Sequence, residues 1–470
     1  MSIEAELKKL NKTKLVFLVD QLYGIYGDID EIIERHLAAA AEGHDRDSLA
    51  SAIQQQLTQF REDSAFFDVY SSKGYTTYLQ SLLADIDNLL RPQDPQQALQ
   101  ATEQFLWLHS TALESVDDSD GEVGDVFREA VSQWLKIACE VRSRQADAEN
   151  WTEKLLSFFN ANDYGVLDDV IRDSSDLLTT NELTQLAWRF ETDLKKALKT
   201  NGQKGYNFKA AHASIGMRSV AEALSNMELY EKSCLLFSPH PNTQQLQEVV
   251  AFALAIGEFD RAWYWLNKPI WKDDPLRFKK LRNSLLALQG DKKTLKKNLA
   301  EDFQQNPNAL TLQDYWKVAN KTERKALYQQ MPKWTESAHA LHDAVSMAFI
   351  VGHHDLAEKL LLKNKQALTD CYYGLHLNWL EQLDEKKHPL GCIACYRCLL
   401  NDVLQQGRSK AYRHAADYFQ KLLILDKHIS NYKNLDDAQS YIHRLQAAHW
   451  RKRSFWELAG YPNKPRQTTV

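Results

Sequence analysis

The chain has few of the residues that interrupt helices, with 11 prolines and 17 glycines among 470 residues. Because these residues end helices and make tight turns, their scarcity favours long helices over many short strands. The strict alternation of apolar and polar residues that marks half-buried strands is also nearly absent. These absences argue against a β-rich fold and predict an all-α protein.

Long apolar runs are missing as well. No window approaches the roughly 20 apolar residues that a membrane-spanning helix needs. The first residues lack the apolar core and cleavage site of a secretory signal. The six cysteines are too few and too scattered for a disulfide-stabilised secreted domain. We therefore expect a soluble, cytoplasmic protein with reduced thiols and no membrane partner.

The formal net charge of -6 hides an uneven distribution of charge along the chain. Residues 1–150 hold 13 basic against 27 acidic residues, whereas residues 401–470 hold 12 against 6. An anionic partner for the basic end would explain this asymmetry, and so would attraction between the two ends of the protein.

Apolar residues recur at steps of three and four along most of the sequence, as expected for one face of a helix. The pattern predicts helices over residues 15–26 and 29–37. It also predicts a helix over residues 98–113, preceded by Asp94 and Pro95, where the proline fits the first helical turn. The same spacing continues through much of the chain.

Two stretches share a glycine followed five residues later by an alanine, Gly257 with Ala262 and Gly352 with Ala357, and weaker echoes occur near residues 162 and 407. Glycine caps a helix end, and alanine lets the next helix pack closely. The pattern predicts a helix-pair (tetratricopeptide-like) solenoid with an N-terminal helical block, although antiparallel helices without true repeats remain an alternative.

Composition suggests three blocks. We expect an acidic N-terminal helical domain over residues 1–148, a helical-hairpin repeat array over residues 151–388, and a basic C-terminal helical block over residues 389–470.

The segments Val116–Phe127, Gly407–Ala416 and His449–Trp456 resemble those of an uncharacterised bacterial all-helical family, a domain of unknown function, and the resemblance extends over most of the chain. Some proteins with similar C-terminal blocks are associated with SWIM zinc fingers. The sequence lacks the Cys-x-Cys and Cys-x-His pairs that such a finger needs. The resemblance thus implies an all-helical, repeat-like fold, and it implies neither a zinc site nor an established activity.

The C-terminal block contains a set of basic residues next to aromatic ones: Arg408, Lys410, Arg413, Arg451, Lys452 and Arg453. Cations interleaved with aromatic rings suit phosphate neutralisation and base stacking, so the set is a candidate site for a polyanion or a partner. The overall pI of about 6.2 argues against a dedicated nucleic-acid binder. Basic side chains that pack their stems on the terminal helices would explain the same residues.

A second candidate is an acidic loop with carboxylates at Asp117, Asp118, Asp120 and Asp125. It suits calcium, a partner or an active site, but it does not follow the order of ligands in an EF-hand. Aspartate and glycine are also the ordinary residues of a turn and a helix start, and a turn in which Asp120 or Asp125 caps backbone amides is the alternative.

Three cysteines, Cys392, Cys395 and Cys398, are spaced as in zinc and iron–sulfur sites, with His388 or His414 as the nearest fourth ligand. Their segment reads as a continuous helix, in which thiols behave as small buried hydrophobes. We expect no metal and no cofactor.

No glycine-rich nucleotide loop, nucleophile elbow or metalloprotease helix is present in the sequence. We therefore expect a non-catalytic interaction or scaffold module that binds a peptide or protein on a helical-repeat surface. The alternatives are a polyanion or nucleic-acid binder acting through the basic C-terminal block, and an enzyme with its site at the Asp117–Asp125 loop.

Overall fold

The computed structural model describes residues 3–25, 27–40, 46–62, 72–144, 149–200, 207–336, 338 and 340–463. These residues form helices and no β-strand, which confirms the all-α prediction. Helices that are neighbours in sequence pack against each other in pairs, as a helical-repeat fold requires. No helix in the described ranges is long and apolar enough to cross a membrane. The chain divides into two compact units, residues 1–281 and 282–470.

The first unit begins with short helices and continues with longer packed ones. In chain order they are α1 (Ile3–Leu7), α2 (Lys12–Leu22), α3 (Gly27–Ala40), α4 (Arg46–Glu62), α5 (Ser72–Asp85), α6 (Pro95–Trp107), α7 (His109–Glu114), α8 (Glu122–Arg144), α9 (Trp151–Asn160), α10 (Asp169–Arg172), α11 (Thr180–Thr200), α12 (Phe208–Ala223), α13 (Met227–Phe237), α14 (Thr243–Ala255) and α15 (Phe259–Leu266). A π-helical turn at Ile86–Leu90 and 3-10 turns at Ser174–Asp176 and Pro269–Asp273 connect some of them.

The boundary between the units falls inside α16 (Pro275–Leu288). The second unit continues with α17 (Lys292–Gln305), α18 (Ala309–Val318), α19 (Lys321–Glu336), α20 (Leu341–Ile350), α21 (His354–Lys363), α22 (Lys365–Thr369), α23 (Tyr373–Gln382), α24 (Pro389–Gln405), α25 (Tyr412–Asp426), α26 (Ala438–His449) and α27 (Arg453–Leu458). A 3-10 turn at Ser409–Ala411 precedes α25.

The helices predicted from apolar periodicity are present as α2, α3 and α6, although α2 ends at Leu22, before the predicted end at residue 26. Asp94 caps α6 by accepting hydrogen bonds from the amides of Gln96 and Gln97, and Pro95 occupies the first turn, as the sequence indicates. The prediction of one helix over residues 98–113 was too long, because α6 ends at Trp107 and α7 begins two residues later. Periodicity does not reveal this break, since the apolar face continues across it.

The glycine–alanine pattern also has its predicted structural role. Gly257 and Gly352 have φ angles of +79° and +77°, the left-handed conformation that ends one helix and allows the next to turn back. Ala262 and Ala357 are buried in α15 and α21. Each alanine is thus a small buried residue on the second helix of a packed pair, α14 with α15 and α20 with α21.

The composition-based boundary at residue 148 lies outside the described residues, and the boundary at residue 388 remains a prediction. The hydrophobic core of the first unit extends from Leu49 to Val220 and draws on both sides of residue 148.

A buried charge helps to order the N-terminal helices. The Arg35 side chain on α3 is 0% exposed and donates to a carboxylate oxygen of Asp85 at 2.6 Å and to the amide oxygen of Gln56. Because an unpaired guanidinium is very costly in an apolar core, these contacts fix α3 against α4 and α5.

Helices α11 and α12 approach each other closely at Gly216. Gly216 on α12 faces the ring of Phe190 on α11, and a Cβ atom at position 216 would overlap with that ring. Both residues are buried. Glycine therefore sets how closely these two helices pack.

We expect Gly216→Ala to lower the free energy of unfolding by about 1 to 3 kcal/mol, because the added methyl group overpacks the contact with Phe190. Chemical denaturation measures this change. Gly74→Ala on α5 is the matched control, since an added Cβ there meets no atom within 4 Å. Adding Phe190→Leu to Gly216→Ala should recover part of the loss, and equal effects of the two glycine variants would contradict the assignment.

Candidate functional site

A groove with a volume of about 660 Å³ opens in the first unit between α9, α11 and α12. It is lined by Leu156, Asn160, Arg189, Phe190, Asp193, Phe208, Lys209, Ala211, His212, Ala213 and Ile215. Its size and its mainly apolar walls, with a few polar groups at the edge, are typical of a binding site.

The apolar walls combine buried and exposed side chains. Leu156 and Phe190 belong to the core and form the deeper part of the lining. Phe208 is 77% exposed and Ile215 is also exposed, so both offer apolar surface to solvent at the groove. Large exposed apolar side chains gathered around a concavity mark an interaction site more often than scattered ones do.

The start of α12 is fixed by an asparagine cap. The side-chain oxygen of Asn207 accepts a hydrogen bond from the Ala210 amide at 3.0 Å, and its NH₂ group donates to the carbonyl of Ala197 on α11 at 3.1 Å. The cap thus ties the first turn of α12 to the end of α11. As a result, Phe208 and Lys209 have fixed positions at one end of the groove.

The polar edge of the groove carries charges of both signs. Lys209 is exposed and has no ion-pair partner among the described residues. Arg189 lies 2.6 Å from Glu153 and is half exposed, while Asp193 adds one carboxylate. The ring of His212 packs on buried Phe159, with their centroids 4.5 Å apart, which orients its imidazole at the edge.

Sequence reasoning missed this groove because it is assembled from three helices spread over about sixty residues of chain. Phe208 and Ile215 fit the same helical spacing that predicts core residues. The available signal was the aromatic and basic pair Phe208–Lys209 directly after the asparagine cap.

The basic residues that the sequence singles out lie in the second unit, and five of the six are exposed. Lys410 and Arg413 flank the start of α25 and have no ion-pair partner among the described residues. Arg408 is partly engaged, because its guanidinium donates to Gln406 and lies 3.4 Å from Asp402.

Lys452 joins the two basic clusters. Its ammonium group lies 3.4 Å from the hydroxyl of Tyr412, the first residue of α25, and 5.9 Å from the centre of that ring. Gly407 lies next to the same ammonium group, because a Cβ atom built on this glycine would be 3.7 Å from it. The guanidinium of Arg451 lies 5.1 Å from the centre of the Trp450 ring. The structure therefore brings the cluster at residues 451–453 beside the start of α25, while Arg453 lines a separate cavity of about 380 Å³.

The acidic loop is organised around the first turn of α8. The two carboxylate oxygens of Asp118 accept hydrogen bonds from the amides of Val123 at 2.8 Å and Gly124 at 3.0 Å. Asp117 accepts hydrogen bonds from Ser119, and Asp120 accepts one from the Glu122 amide at 3.3 Å. The remaining carboxylate, on residue 125, pairs with Arg128 at 2.5 Å. These contacts are those of a turn and a helix cap, in which Asp118 takes the main capping role, Asp120 accepts a single long hydrogen bond, and Asp125 forms an ion pair instead of a cap.

The cysteine segment is helical, as predicted, and forms α24. Cys392 and Cys395 are buried, and burial raises the pKa of the Cys392 thiol to about 12 and that of Cys398 to about 11. Thiols of this kind are protonated at neutral pH and are poor nucleophiles. Within the described ranges, no group of three or more His, Cys, Asp or Glu side chains is arranged to hold a metal ion.

The two candidate fourth ligands occupy different environments. His388 is buried at the start of α24 and stacks on His354, with ring centroids 5.9 Å apart, whereas His414 is exposed on α25. A smaller cavity of about 320 Å³ in the second unit is lined by residues that include Cys371, Cys398 and Arg408.

Residues 6–458 match the family of unknown function DUF6880, so the match extends over nearly the whole chain, which belongs to that family. This confirms the resemblance to an uncharacterised family seen in the sequence. We find no significant match among curated proteins or among solved structures.

We expect Asp118→Ala to lower the free energy of unfolding by about 1 to 2 kcal/mol, because two amides of the first turn of α8 lose their acceptor. Asp120→Ala is the control and should change it by less, since Asp120 makes one long hydrogen bond. Thermal unfolding with and without calcium tests the alternative. We expect the same midpoint in both, and a midpoint that rises with calcium and loses this rise in Asp118→Ala would identify a cation site instead.

Proposed function

We propose that this protein is a non-catalytic interaction module whose first unit binds a peptide segment of another protein in the groove between α9, α11 and α12. The observation that carries the proposal is the concave apolar lining of Phe190, Phe208 and Ile215 on a rigid pair of helices. Helix pairs commonly present such surfaces to peptides, because their packed cores keep the surface in shape.

The size of the groove favours one or two large side chains. A volume of about 660 Å³ accommodates an aromatic or leucine-like anchor with some backbone around it. Lys209 at the edge, whose ammonium group has no ion-pair partner among the described residues, favours a carboxylate in a residue that flanks the anchor. The proposed ligand is therefore a peptide with an apolar anchor and an acidic flank.

The proposal is tested with a random peptide library selected on the full-length protein, followed by affinity measurements on individual peptides by fluorescence anisotropy. We expect enriched peptides with an aromatic or aliphatic anchor next to Asp or Glu. Ile215→Asp should weaken their binding by at least about tenfold, because it places a carboxylate in the apolar wall. Lys209→Glu should weaken acidic peptides more than versions with neutral flanks.

The matched control is Trp188→Ser on α11. Trp188 is 71% exposed and does not line the groove, so its removal tests non-specific adhesion to exposed aromatic surface. Selected peptides that bind Trp188→Ser like the wild type and fail to bind Ile215→Asp support the groove. Peptides whose affinity is unchanged in Ile215→Asp would contradict it.

Polyanion binding in the second unit is a second candidate function. It is supported by the position of Lys452 beside Tyr412, which places the cluster at residues 451–453 next to Lys410 and Arg413 at the start of α25. Tyr412 is buried, but the ring of Trp450 is 40% exposed beside the Arg451 guanidinium, and a cation next to an accessible aromatic ring suits a single-stranded nucleic acid. The engagement of Arg408 by Asp402 ranks this candidate below the groove.

A labelled single-stranded oligonucleotide titrated at several salt concentrations tests the second candidate. If it is right, Lys410→Glu with Arg413→Glu weakens binding by at least about tenfold and flattens the salt dependence. Lys427→Glu, an exposed lysine just after the same helix, is the control and should have a small effect. Equal losses in both variants would indicate attraction to overall charge rather than a site.

Catalysis at the Asp117–Asp125 loop is not favoured, because the Asp118 carboxylate already accepts hydrogen bonds from backbone amides.

We further propose a cytoplasmic location, supported by six cysteines that are all free thiols. The tetratricopeptide-like character of the repeats and the bacterial origin remain predictions.

A further inference from the structure

The second helix of the chain is unusual because none of its residues is buried. Its centre is the apolar run Leu15–Val19, in which Phe17 is 65% and Val16 is 58% exposed. Surface helices normally turn a polar face to solvent, and a helix that is apolar on all sides is normally buried. Helix α2 therefore presents an apolar surface that its own unit does not cover.

Helix α2 is nevertheless held in place at its C-terminal end. The hydroxyl of Tyr23 donates to the Glu34 carboxylate at 2.9 Å, and the amide of Gly24 donates to Asp30 at 2.7 Å. Both acceptors lie on α3. The apolar run is thus carried on an anchored element and is available to a partner.

The charges of α2 indicate which partner fits. Lys14 lies three residues before Phe17 and Asp20 three residues after it. Because residues three apart are neighbours on a helix surface, the two charges flank Phe17 on one face of α2. Neither side chain has an ion-pair partner among the described residues. If a second α2 packs antiparallel with Phe17 at the two-fold axis, Lys14 of each copy faces Asp20 of the other.

We propose that α2 is a self-association surface through which two copies of this chain pair in an antiparallel, two-fold symmetric arrangement centred on Phe17. The same patch then serves both copies, as in the commonest type of homodimer. The symmetry places two apolar runs face to face and closes two ion pairs at once. An anionic membrane is less suitable, because Asp20 lies on the same face and the helix has no continuous basic side.

The helix has eleven residues and is therefore about 16 Å long, so the interface is small. Small interfaces of this kind are usually transient. We expect a dimer that dissociates in the range of about 1 to 100 µM and is visible only at high protein concentration.

Sedimentation equilibrium of the full chain, with a charge exchange, tests the arrangement. Lys14→Asp and Asp20→Lys should each weaken dimerisation by about tenfold, because each replaces two attractions with two repulsions. The double variant Lys14→Asp with Asp20→Lys should restore it to near the wild-type value. Lys12→Asp is the matched control, since its two-fold counterpart is Leu22 and no carboxylate faces it.

The charge variants keep the helix itself intact. Lys14→Asp places a negative charge in the first turn of α2 and Asp20→Lys a positive charge near its end, and both changes suit the helix dipole. Circular dichroism should therefore be unchanged. Phe17→Ser, at the two-fold axis, should abolish dimerisation without unfolding the protein, because Phe17 has no role in the core.

Two results would overturn the proposal. A wild-type chain that stays monomeric up to about 200 µM would exclude this self-association, including the case in which it binds phosphatidylglycerol vesicles instead. A wild-type dimer that the double exchange fails to restore, or that Lys12→Asp weakens as much as Lys14→Asp, would exclude the two-fold arrangement. Both readouts are independent of peptide binding, because α2 does not line the groove.

Discussion

Helix ends are the constraint on which the rest of this structure depends, because a chain of many short helices has many backbone amides and carbonyls without helical partners. Asparagine side chains satisfy many of the first amides, at Asn11, Asn150, Asn207, Asn226, Asn242 and Asn308. Glycines in the left-handed conformation end helices at Gly257, Gly290, Gly352 and Gly407. Each capped turn fixes where the next helix starts and therefore which face it offers to its neighbour.

This constraint explains which part of the fold could be read from the sequence. Helix caps and apolar spacing depend on residues that are close in sequence. The sequence therefore predicts the start of α6 at Asp94 and Pro95 and the turns at Gly257 and Gly352. The break after Trp107 has no local signal, since the apolar face continues into α7. The pairing of Arg35 with Asp85 joins residues fifty positions apart, and no pattern in one sequence connects them.

The candidate sites, too, were only partly predictable from the sequence. The sequence predicts either a ligand site or a turn with a helix cap at the acidic loop, with Asp120 or Asp125 as the cap, and only the fold shows that the Asp118 oxygens accept hydrogen bonds from two amides of α8. The two basic clusters lie forty residues apart, and the contact of Lys452 with Tyr412 could not be foreseen from spacing. The groove could not be predicted from the sequence, because Phe190 and Phe208 both follow the periodicity of core residues. Only the structure shows that Phe190 is buried and Phe208 exposed.

The contact between Phe190 and Gly216 couples the packing of α11 and α12 to the shape of the groove. Phe190 forms part of the core and part of the groove wall, so a change at either position alters stability and the groove together. Lys209, His212 and Ile215 line the same groove from exposed positions of α12 and carry little of the packing. Substitutions at these three positions would therefore change the chemistry of the groove surface while leaving the contact between Gly216 and Phe190 intact, so the groove surface and the packing beneath it can vary independently.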